Sequence, residues 1–410
     1  TNTQMDLGAV TLAADTTLDT GNAAAGVLNV GAVTSGTNAL TLDSGSTAGA
    51  TIGLTSFADA TGGLTIVDAG GLATIGAVGS GTSGDVTITN SQAGVTFSST
   101  VDAGTLLITD TTGTVTVQGD LTAATLTTAN QDYNVQFDEA VTITADASFL
   151  NTGTVALGSA NDDVLVFNGG INTTGAGSNP SGTTLAGTLR TSGDQVDLGA
   201  VTLGADSVID TTNNGGSPSG AGLNIVSVDA DDASAQDRTL TLNSGTGGTI
   251  AVSGAVGGTE ALAGLDITNS NGATFSGAVT VSDGSGVLDI SDTEDNQDVT
   301  FAGDVSAVTL TTTGNLYDVI FQEDVTVTTD VTFAAIRNLD IGGATDDIAT
   351  FTGGLDTAAN VSGTVTIAGT INTTDTQMDL GAVTLGADTT LDTGNGAAGV
   401  LNVGAVTSGT

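Results

Sequence analysis

The sequence predicts an all-β protein, a parallel β-helix (β-solenoid) with coils of about 20–23 residues. Three observations carry this prediction: a short phrase recurs at that spacing, apolar and polar residues alternate between the recurrences, and the composition suits pleated strands. The chain has 410 residues with 61 Gly, 2 Pro, no Trp, no Cys and no His, and only 3% of its residues are aromatic. Val and Thr, which are abundant throughout, fit a pleated sheet better than a helix.

The recurring phrase is a pentapeptide that in most copies has a small residue in the middle and an aliphatic residue at the end. It reads DLGAV at 6–10, NVGAV at 29–33, TIGLT at 51–55, TIGAV at 74–78 and FSSTV at 97–101, so its centres at positions 8, 31, 53, 76 and 99 are almost evenly spaced. It continues as VQGDL at 117–121, FDEAV at 137–141 and FNGGI at 167–171, and the second half has FSGAV, FAGDV, FQEDV and FTGGL from 275 to 355. Both halves contain one longer step, from 139 to 169 and from 323 to 353, which we interpret as a loop inserted at one edge.

Between the phrases, stretches such as GDVTITN, ALTLDS and VTVTTDVTF alternate apolar and polar residues. This period of two predicts short strands with one face inside and one outside, separated by turns of Gly, Asn, Asp and Ser. One coil cannot bury its own inner face, so we expect neighbouring coils to stack and like residues to form ladders. A β-sandwich array is the alternative, but its strands would not repeat locally about every 22 residues.

A much longer repeat covers the whole chain. Residues 3–37 recur at 376–410 with two differences, Ala13 against Gly386 and Ala23 against Gly396, at an offset of 373 (376 minus 3). A weaker copy begins at Asp194. We therefore expect β-solenoid super-repeats at 3–193 and 194–375 and the start of a further copy at 376–410, in a window of a longer array. With strands ~4.8 Å apart, about 17 coils would form a rod on the order of 80 Å long.

The charge restricts the partners. Asp and Glu number 45 against three Arg and no Lys, which gives a net charge of −42. Such a chain repels nucleic acid and anionic lipid surfaces, so we expect neither as a partner, and cations are the natural complement. No apolar stretch reaches the ~20 residues of a membrane span, and no secretion signal is present at the start of the sequence, so we expect no membrane insertion.

This composition offers few side chains that could act in catalysis, and we expect that the protein is not an enzyme. His and Cys are absent, so neither can serve as nucleophile, base or metal ligand. The alternative is a carbohydrate-active β-helix enzyme, a polysaccharide lyase or hydrolase that uses Asp carboxylates. The adjacent acids at 162–163 and 346–347 are candidates for it, but they recur at the same place in each super-repeat, which favours turn-capping.

Two acid-rich turns are candidate calcium sites, because calcium takes six to eight oxygen ligands that carboxylates on a turn can supply. The stretches are DISDTEDNQD and DADDASAQD, and neither has EF-hand spacing. A solvated acidic turn, with weakly bound divalent cations along the coils, is the alternative. The candidate ligands are Asp292, Glu294, Asp295, Asp298, Asp229, Asp231 and Asp232.

The stretches LGAVTLGADTTLDTGN, GVLNVGAV and TNSNGATFSGAVTV resemble the Gly/Thr/Asp-rich strand repeats of giant tandem-repeat bacterial surface proteins, the β-helical adhesin and autotransporter-passenger type. The likeness extends over essentially the whole chain. It implies an extracellular structural protein on a bacterial cell surface, used in adhesion, biofilm matrix or surface fibres. It also implies that the partners are identical repeats stacked head-to-tail, either within a longer chain or between subunits.

Overall fold

The computed structural model describes residues 3–22, 26–59, 61–79, 84–175, 177–231, 238–291, 293–313, 315–358 and 360–409. These residues confirm the predicted fold: the protein is an all-β parallel solenoid of about 17 turns, and no described residue is helical. Contacts divide the chain into two compact units, Thr1–Ser192 with Asp197–Gly199, and Gly193–Val196 with Ala200–Thr410. We call them unit 1 and unit 2.

The strands are short, as the alternation predicts. The strands up to residue 190 are β1 (Met5–Leu7), β2 (Val10–Thr11), β3 (Thr16–Asp19), β4 (Leu28–Gly36), β5 (Leu40–Gly45), β6 (Ile52–Asp59), β7 (Leu64–Ala69), β8 (Ala73–Val78), β9 (Val86–Ile88), β10 (Val95–Phe97), β11 (Val101–Ile108), β12 (Thr114–Val117), β13 (Leu121–Thr128), β14 (Asn134–Phe137), β15 (Val141–Ile143), β16 (Ala147–Ser148), β17 (Thr154–Leu157), β18 (Val164–Phe167), β19 (Ile171–Asn172) and β20 (Gly182–Arg190).

The remaining strands are β21 (Val196–Asp210), β22 (Leu223–Ala230), β23 (Thr239–Asn243), β24 (Ile250–Val252), β25 (Gly264–Asn269), β26 (Ala273–Phe275), β27 (Val279–Val281), β28 (Val287–Ile290), β29 (Asp298–Phe301), β30 (Val305–Ala307), β31 (Thr309–Thr312), β32 (Asp318–Phe321), β33 (Val325–Val327), β34 (Val331–Thr332), β35 (Leu339–Ile341), β36 (Ile348–Phe351), β37 (Leu355–Asp356), β38 (Val365–Thr373), β39 (Met378–Leu380), β40 (Val383–Asp392), β41 (Leu401–Val403) and β42 (Val406–Ser408).

Strands pair in parallel with the strands one coil away. In unit 1, Val95 of β10 pairs with Val115 of β12, and Val115 pairs with Val135 of β14, so two successive coils have the same length. The side chains of these three valines are fully buried, because an in-register ladder sets each one against the next inside the coil. The same rule gives the polar side chains an outer ladder.

The register corrects one step of the phrase. Val30 pairs with Leu54 and Ala32 with Ser56, so the residue that faces Gly31 is Thr55. The prediction that TIGLT, centred on position 53, continues the phrase is therefore wrong by two positions. The physical reason is that the buried side chains fix the register: Leu54 must continue the inner column of Val30, whatever small residue lies at the corner.

The interpretation of the longer step as an inserted loop is correct only in part: one corner gains residues, but the phrase itself also changes its place in the coil. Phe167 does not lie in the column of Phe137; it pairs with Ile143 on the following strand, and Leu157 takes the place above Phe137. In this coil the phrase lies at the next corner. The corner before it is wider than in the preceding coil, because Phe137 and Val141 pair with Leu157 and Leu165, which are further apart in the sequence. Unit 2 repeats this arrangement, with Phe351 paired with Val327.

The large side chains fill the interior of the coils. All ten Phe and both Tyr are fully buried. In unit 2, Phe275, Phe301 and Phe321 form a continuous stack, with ring centroids 5.2 Å apart and planes inclined by 11° at both steps. Offset aromatic pairs of this kind add about 0.5–1.5 kcal/mol each beyond the burial of their area. Ladders of identical rings therefore stabilise the stacking of one coil on the next.

Gly76 shows why a glycine can be required where the corners of neighbouring coils touch. A Cβ atom on Gly76 would lie 1.8 Å from the carbonyl oxygen of Thr55, far inside van der Waals contact. A Cβ atom on Gly8, at the corresponding corner of the first coil, would meet nothing within 4 Å. The small residue in the middle of the phrase is thus needed for close approach of two backbones, and the need depends on the neighbouring coil.

Candidate functional site

The outer face of unit 2 carries a polar ladder around a shallow groove. Thr241 pairs with Asp266, Asp266 with Asp289, and Asp289 with Thr311, so the four outward side chains come from the strands β23, β25, β28 and β31 in sequence. The alternation puts them outside because Leu265 and Ile267, on either side of Asp266, are fully buried. We call these four residues the Asp266 ladder.

The Asp266 ladder lines a groove of about 460 Å³. Gly264 leaves space beside the ladder because it has no side chain, and the rest of the lining is hydroxyl-bearing or aliphatic, including Thr239, Ser285 and Val287. Two carboxyl groups one coil apart are therefore the chemical feature of this surface. Strands in a sheet lie ~4.8 Å apart, so the two groups are near neighbours.

The two carboxyl groups have unequal surroundings. Ser291 Oγ donates to Asp289 Oδ2 at 2.7 Å, and Thr311 Oγ1 donates to Asp289 Oδ1. By contrast, Asp266 Oδ1 is buried and accepts no hydrogen bond. Burial, and secondarily the charge of Asp289, raises the pKa of the Asp266 carboxyl, and a smaller effect of the nearby Ser291 hydroxyl opposes this rise.

A second outer cluster shows the opposite behaviour. Arg337 donates from Nε to Asp318 Oδ1 and from Nη2 to Asp318 Oδ2, both at 2.6 Å, and Asn338 Nδ2 donates to both oxygens at 3.0 Å. Burial alone would raise the pKa of Asp318, but the hydrogen bonds from Arg337 and Asn338 outweigh it and the pKa lies below its usual value. Arg337 Nη1 also donates to Asn296 Oδ1 at 2.7 Å. This fork-shaped pairing ties three consecutive coils together.

The predicted calcium ligands do not come together in the part of the chain that the structure describes. Asp292 and Asp232 lie outside the described residues. Asp295 Oδ1 accepts a bond from the Leu316 backbone N–H at 2.9 Å, while Glu294 lies in the same turn and Asp298 begins β29. Among the described residues, no group of three acidic side chains is placed to hold a metal ion. Calcium binding stays a prediction.

The acids of the second candidate turn have protein partners. Asp229 Oδ1 accepts from the Thr259 backbone N–H at 2.8 Å. Asp231 forms a two-point ion pair with Arg238, at 2.8 Å from Nε and 3.1 Å from Nη2. The hydrogen bond from Arg238 is the main cause that lowers the pKa of Asp231. Both carboxylates therefore have donors within the protein, Asp229 from the backbone at Thr259 and Asp231 from Arg238.

The second acid of each adjacent pair proposed for a hydrolase caps a turn. Asp163 and Asp347 are 7% and 6% exposed and occupy the widened corners of their units. Asp163 Oδ2 accepts from the backbone N–H groups of Ser159 and Ala160 at 2.7 and 2.9 Å, and Asp347 Oδ2 accepts from those of Gly343 and Ala344 at 2.6 and 2.7 Å. The turn-capping interpretation of these two residues is confirmed, and the Oδ2 atom of each accepts from two backbone N–H groups.

Sequence reasoning missed Asp266, and it noted Asp289 only as the first acid of DISDTEDNQD, not as a partner of Asp266. A signal was present: the tripeptide LDI occurs at 265–267 and 288–290, one coil apart, and again at 339–341. An acid between two buried aliphatic residues at the coil spacing indicates stacked outward carboxyl groups. The acid-rich turns attracted attention because of their density, whereas these two acids are single residues within strands.

The comparisons with known proteins give no family. No protein-family profile, no curated protein and no solved structure matches the chain. No helix among the described residues is long and apolar enough to span a membrane.

Proposed function

We propose that this chain is a structural repeat segment of an extracellular filament, surface fibre or giant adhesin on a bacterial cell surface, and that it forms a stiff acidic element by coil stacking. One observation supports this most strongly: the same repeat packs in the same way in two places. Met5 and Val10 pair with Leu28 and Val33 in unit 1. The corresponding residues 378 and 383 of unit 2 pair with 401 and 406 in the same register.

The polar contacts of the two copies also agree. Asn29 Nδ2 donates to Asp6 Oδ1 at 2.7 Å, and Asn402 Nδ2 donates to Asp379 Oδ1 at the same place in the later copy. A unit that reproduces both its inner and its outer contacts in a distant copy can be added repeatedly without new interfaces. In a solenoid each coil contacts its neighbours, so repetition extends the structure in one dimension. This favours a spacer or fibre over a molecule built around one site.

The net charge supports the proposal that the chain is part of an extended structure surrounded by solvent. With a net charge of −42, neighbouring molecules repel each other sideways, while coil-on-coil contacts are made by apolar columns and Asp–Asn pairs. Identical repeats stacked head-to-tail are therefore the partners we propose, within one longer chain or between subunits. Divalent cations are the counter-ions that such a surface attracts.

Electron microscopy of the native material tests the proposal. We expect filaments with an axial repeat on the order of 80 Å, from ~17 coils at ~4.8 Å each. Compact particles would contradict it. Incubation of the chain with a panel of polysaccharides tests the enzyme alternative, and release of new reducing ends would overturn the structural proposal.

Stacking between subunits has its own test in the chain itself. Val406 is 55% exposed and lies on β42, the last strand of the 376–409 copy. Val406→Arg places a charge on the surface that a further coil would cover, and Val226→Arg, at a valine 46% exposed on β22, is the matched control. If subunits stack end to end, only Val406→Arg shortens the assemblies seen by sedimentation velocity. Equal effects of the two variants would contradict stacking between subunits.

A further inference from the structure

The Asp266 ladder places two carboxyl groups in register, and among the described residues neither group accepts a hydrogen bond from a cation or an amide. Asp266 of β25 and Asp289 of β28 pair directly, and both line the same groove. In-register residues of parallel strands project to the same face, so the groups face each other across one coil spacing. Two ionised carboxylates at this separation repel each other.

The hydrogen bonds distinguish the two groups. Asp289 accepts from Ser291 and Thr311, one bond on each oxygen. Asp266 Oδ1 is buried and has no partner. A buried acceptor without a donor is costly, and a charged one more so. A protonated Asp266 is neutral and has an O–H group to donate to Asp289.

The neighbouring strands bring no other charge to the ladder. On one side, β23 presents Thr241, and its sequence is TLTLN. On the other side, β28 presents Asp289, and beyond it β31, with the sequence TLTT, presents Thr311. The titratable group that faces Asp266 from the strands packed against it is therefore Asp289.

We propose that the Asp266 carboxyl holds a proton beside Asp289, and that loss of this proton loosens the packing of β25 on β28. The ladder is then a proton-sensitive joint within unit 2. The direction of the Asp266 pKa agrees, since burial and the charge of Asp289 both raise it. A group with a raised pKa in the folded state contributes stability that is present at low pH and is lost as the pH rises through that pKa.

The chain shows what replaces the proton elsewhere. Where Asp6 pairs with position 29, the partner is Asn29, whose amide donates to the carboxylate at 2.7 Å. The pKa of Asp6 is lowered by hydrogen bonds from Gln4 and Asn29. An amide thus supplies permanently the donor that a protonated acid supplies only at low pH. Asp266→Asn converts the Asp266 ladder into this arrangement without changing its shape.

Hydrogen exchange measured by mass spectrometry tests the joint, because it reports local opening in a protein whose coils need not unfold together. The peptides to follow cover β25 and β28, with rates corrected for the intrinsic pH dependence of exchange. We expect the wild-type chain to exchange several-fold faster than Asp266→Asn in these peptides at pH 8. At pH 4 the two proteins should exchange at the same rate.

Asp304→Asn is the matched control, since Asp304 is exposed at a corner of the same unit and the change removes the same charge. It should leave the exchange of β25 and β28 at the wild-type rate at both pH values. The proposal is overturned if Asp266→Asn exchanges as fast as the wild type at pH 8, if it exchanges faster, or if Asp304→Asn protects these peptides equally. The carboxyl ¹³C resonance of Asp266 gives an independent measurement on the unmodified chain. A midpoint at or below that of an exposed Asp would also overturn the proposal.

Discussion

The stacked rings of unit 2 allow a quantitative test of how much like-on-like stacking stabilises the solenoid. Phe301 lies between Phe275 and Phe321, 5.2 Å from each. Phe301→Leu keeps an apolar side chain of similar volume but removes both ring pairs. Each pair is worth about 0.5–1.5 kcal/mol beyond area burial, so the loss specific to stacking is about 1–3 kcal/mol. Hydrophobic repacking adds up to ~1.5 kcal/mol.

Phe351→Leu is the control, because Phe351 is equally buried in the same unit but pairs in register with Val327 and Thr373. No ring pair among the described residues includes it. Urea unfolding followed by far-ultraviolet circular dichroism gives both free energies, with hydrogen exchange of β29 and β32 as the local readout. Phe301→Leu should lower the free energy of unfolding more than Phe351→Leu does, and the excess is the contribution of ring stacking. Equal losses would show that the rings act as ordinary apolar filling and would refute the reasoning.

Further predictions concern single contacts. Arg337→Gln leaves the nearly buried Asp318 carboxylate without its main partner and should lower the free energy of unfolding at pH 7, by less than the loss of a fully buried pair would because water partly screens this one. The pKa of Asp318 is lowered in the folded protein, so the difference in the free energy of unfolding between this variant and the wild type should shrink as the pH falls through that pKa. Urea unfolding at pH 7 and pH 3 measures this difference. A difference that does not change with pH would contradict the prediction. Gly76→Ala should destabilise unit 1 strongly and Gly8→Ala hardly at all, since only the first meets backbone, and equal melting temperatures would contradict this. Tyr133→Phe removes a hydroxyl that accepts from a backbone N–H and donates to a carbonyl, and it should lower the free energy of unfolding by about 1–3 kcal/mol. Burial raises the pKa of this Tyr to about 12, so in an absorbance titration of the wild type its phenol should ionise only near that pH. If calcium binds specifically, excess EDTA should lower the melting temperature, and an unchanged value would contradict it.

The fold could be predicted from the sequence because its signal is repeated in every coil. Alternation of period two, glycine-rich corners and a regular coil spacing each point to stacked parallel strands, and each occurs many times. The register was harder, since the length of one coil varies: Val95 pairs with Val115, whereas Thr154 pairs with the more distant Gly182. The small residues are conspicuous in the sequence, but the inner columns decide the pairing. For this reason the small residue of TIGLT is a poor guide to the register.

The candidate site was predictable only in part. The turn caps Asp163 and Asp347 follow from their recurrence at the same place in two units. Asp266 does not stand out, and Asp289 stands out only as part of an acid-rich stretch, because the pairing of the two arises when the fold brings them one above the other. Asp266 Oδ1 has no hydrogen-bond donor, whereas Asp289 accepts from Ser291. This difference depends on side-chain geometry that no spacing in the sequence indicates.

A solenoid places like residues over like, and the consequence differs between its two faces. Inside, the rule is favourable, because stacked Val, Leu and Phe columns exclude water. Outside, it is unfavourable for a chain with 45 acids, since a repeated Asp lies over its own copy one coil spacing away. The outer face must therefore vary from coil to coil more than the inner face does. Asp6 over Asn29, Asp210 over Asn243 and Asp340 over Thr366 show this variation.

Where an acid does lie over an acid, a donor relieves the repulsion. Asp318 pairs with Asp298 and receives Arg337, and Asp68 pairs with Asp43 and accepts from Asn90 Nδ2 at 2.9 Å. In the Asp266–Asp289 pair the donors are hydroxyl groups, and both bind Asp289. A proton on Asp266 is the remaining way to remove one of the two charges without moving the strands. The inner face thus explains why this chain can repeat, and the outer face explains where its stability should depend on pH.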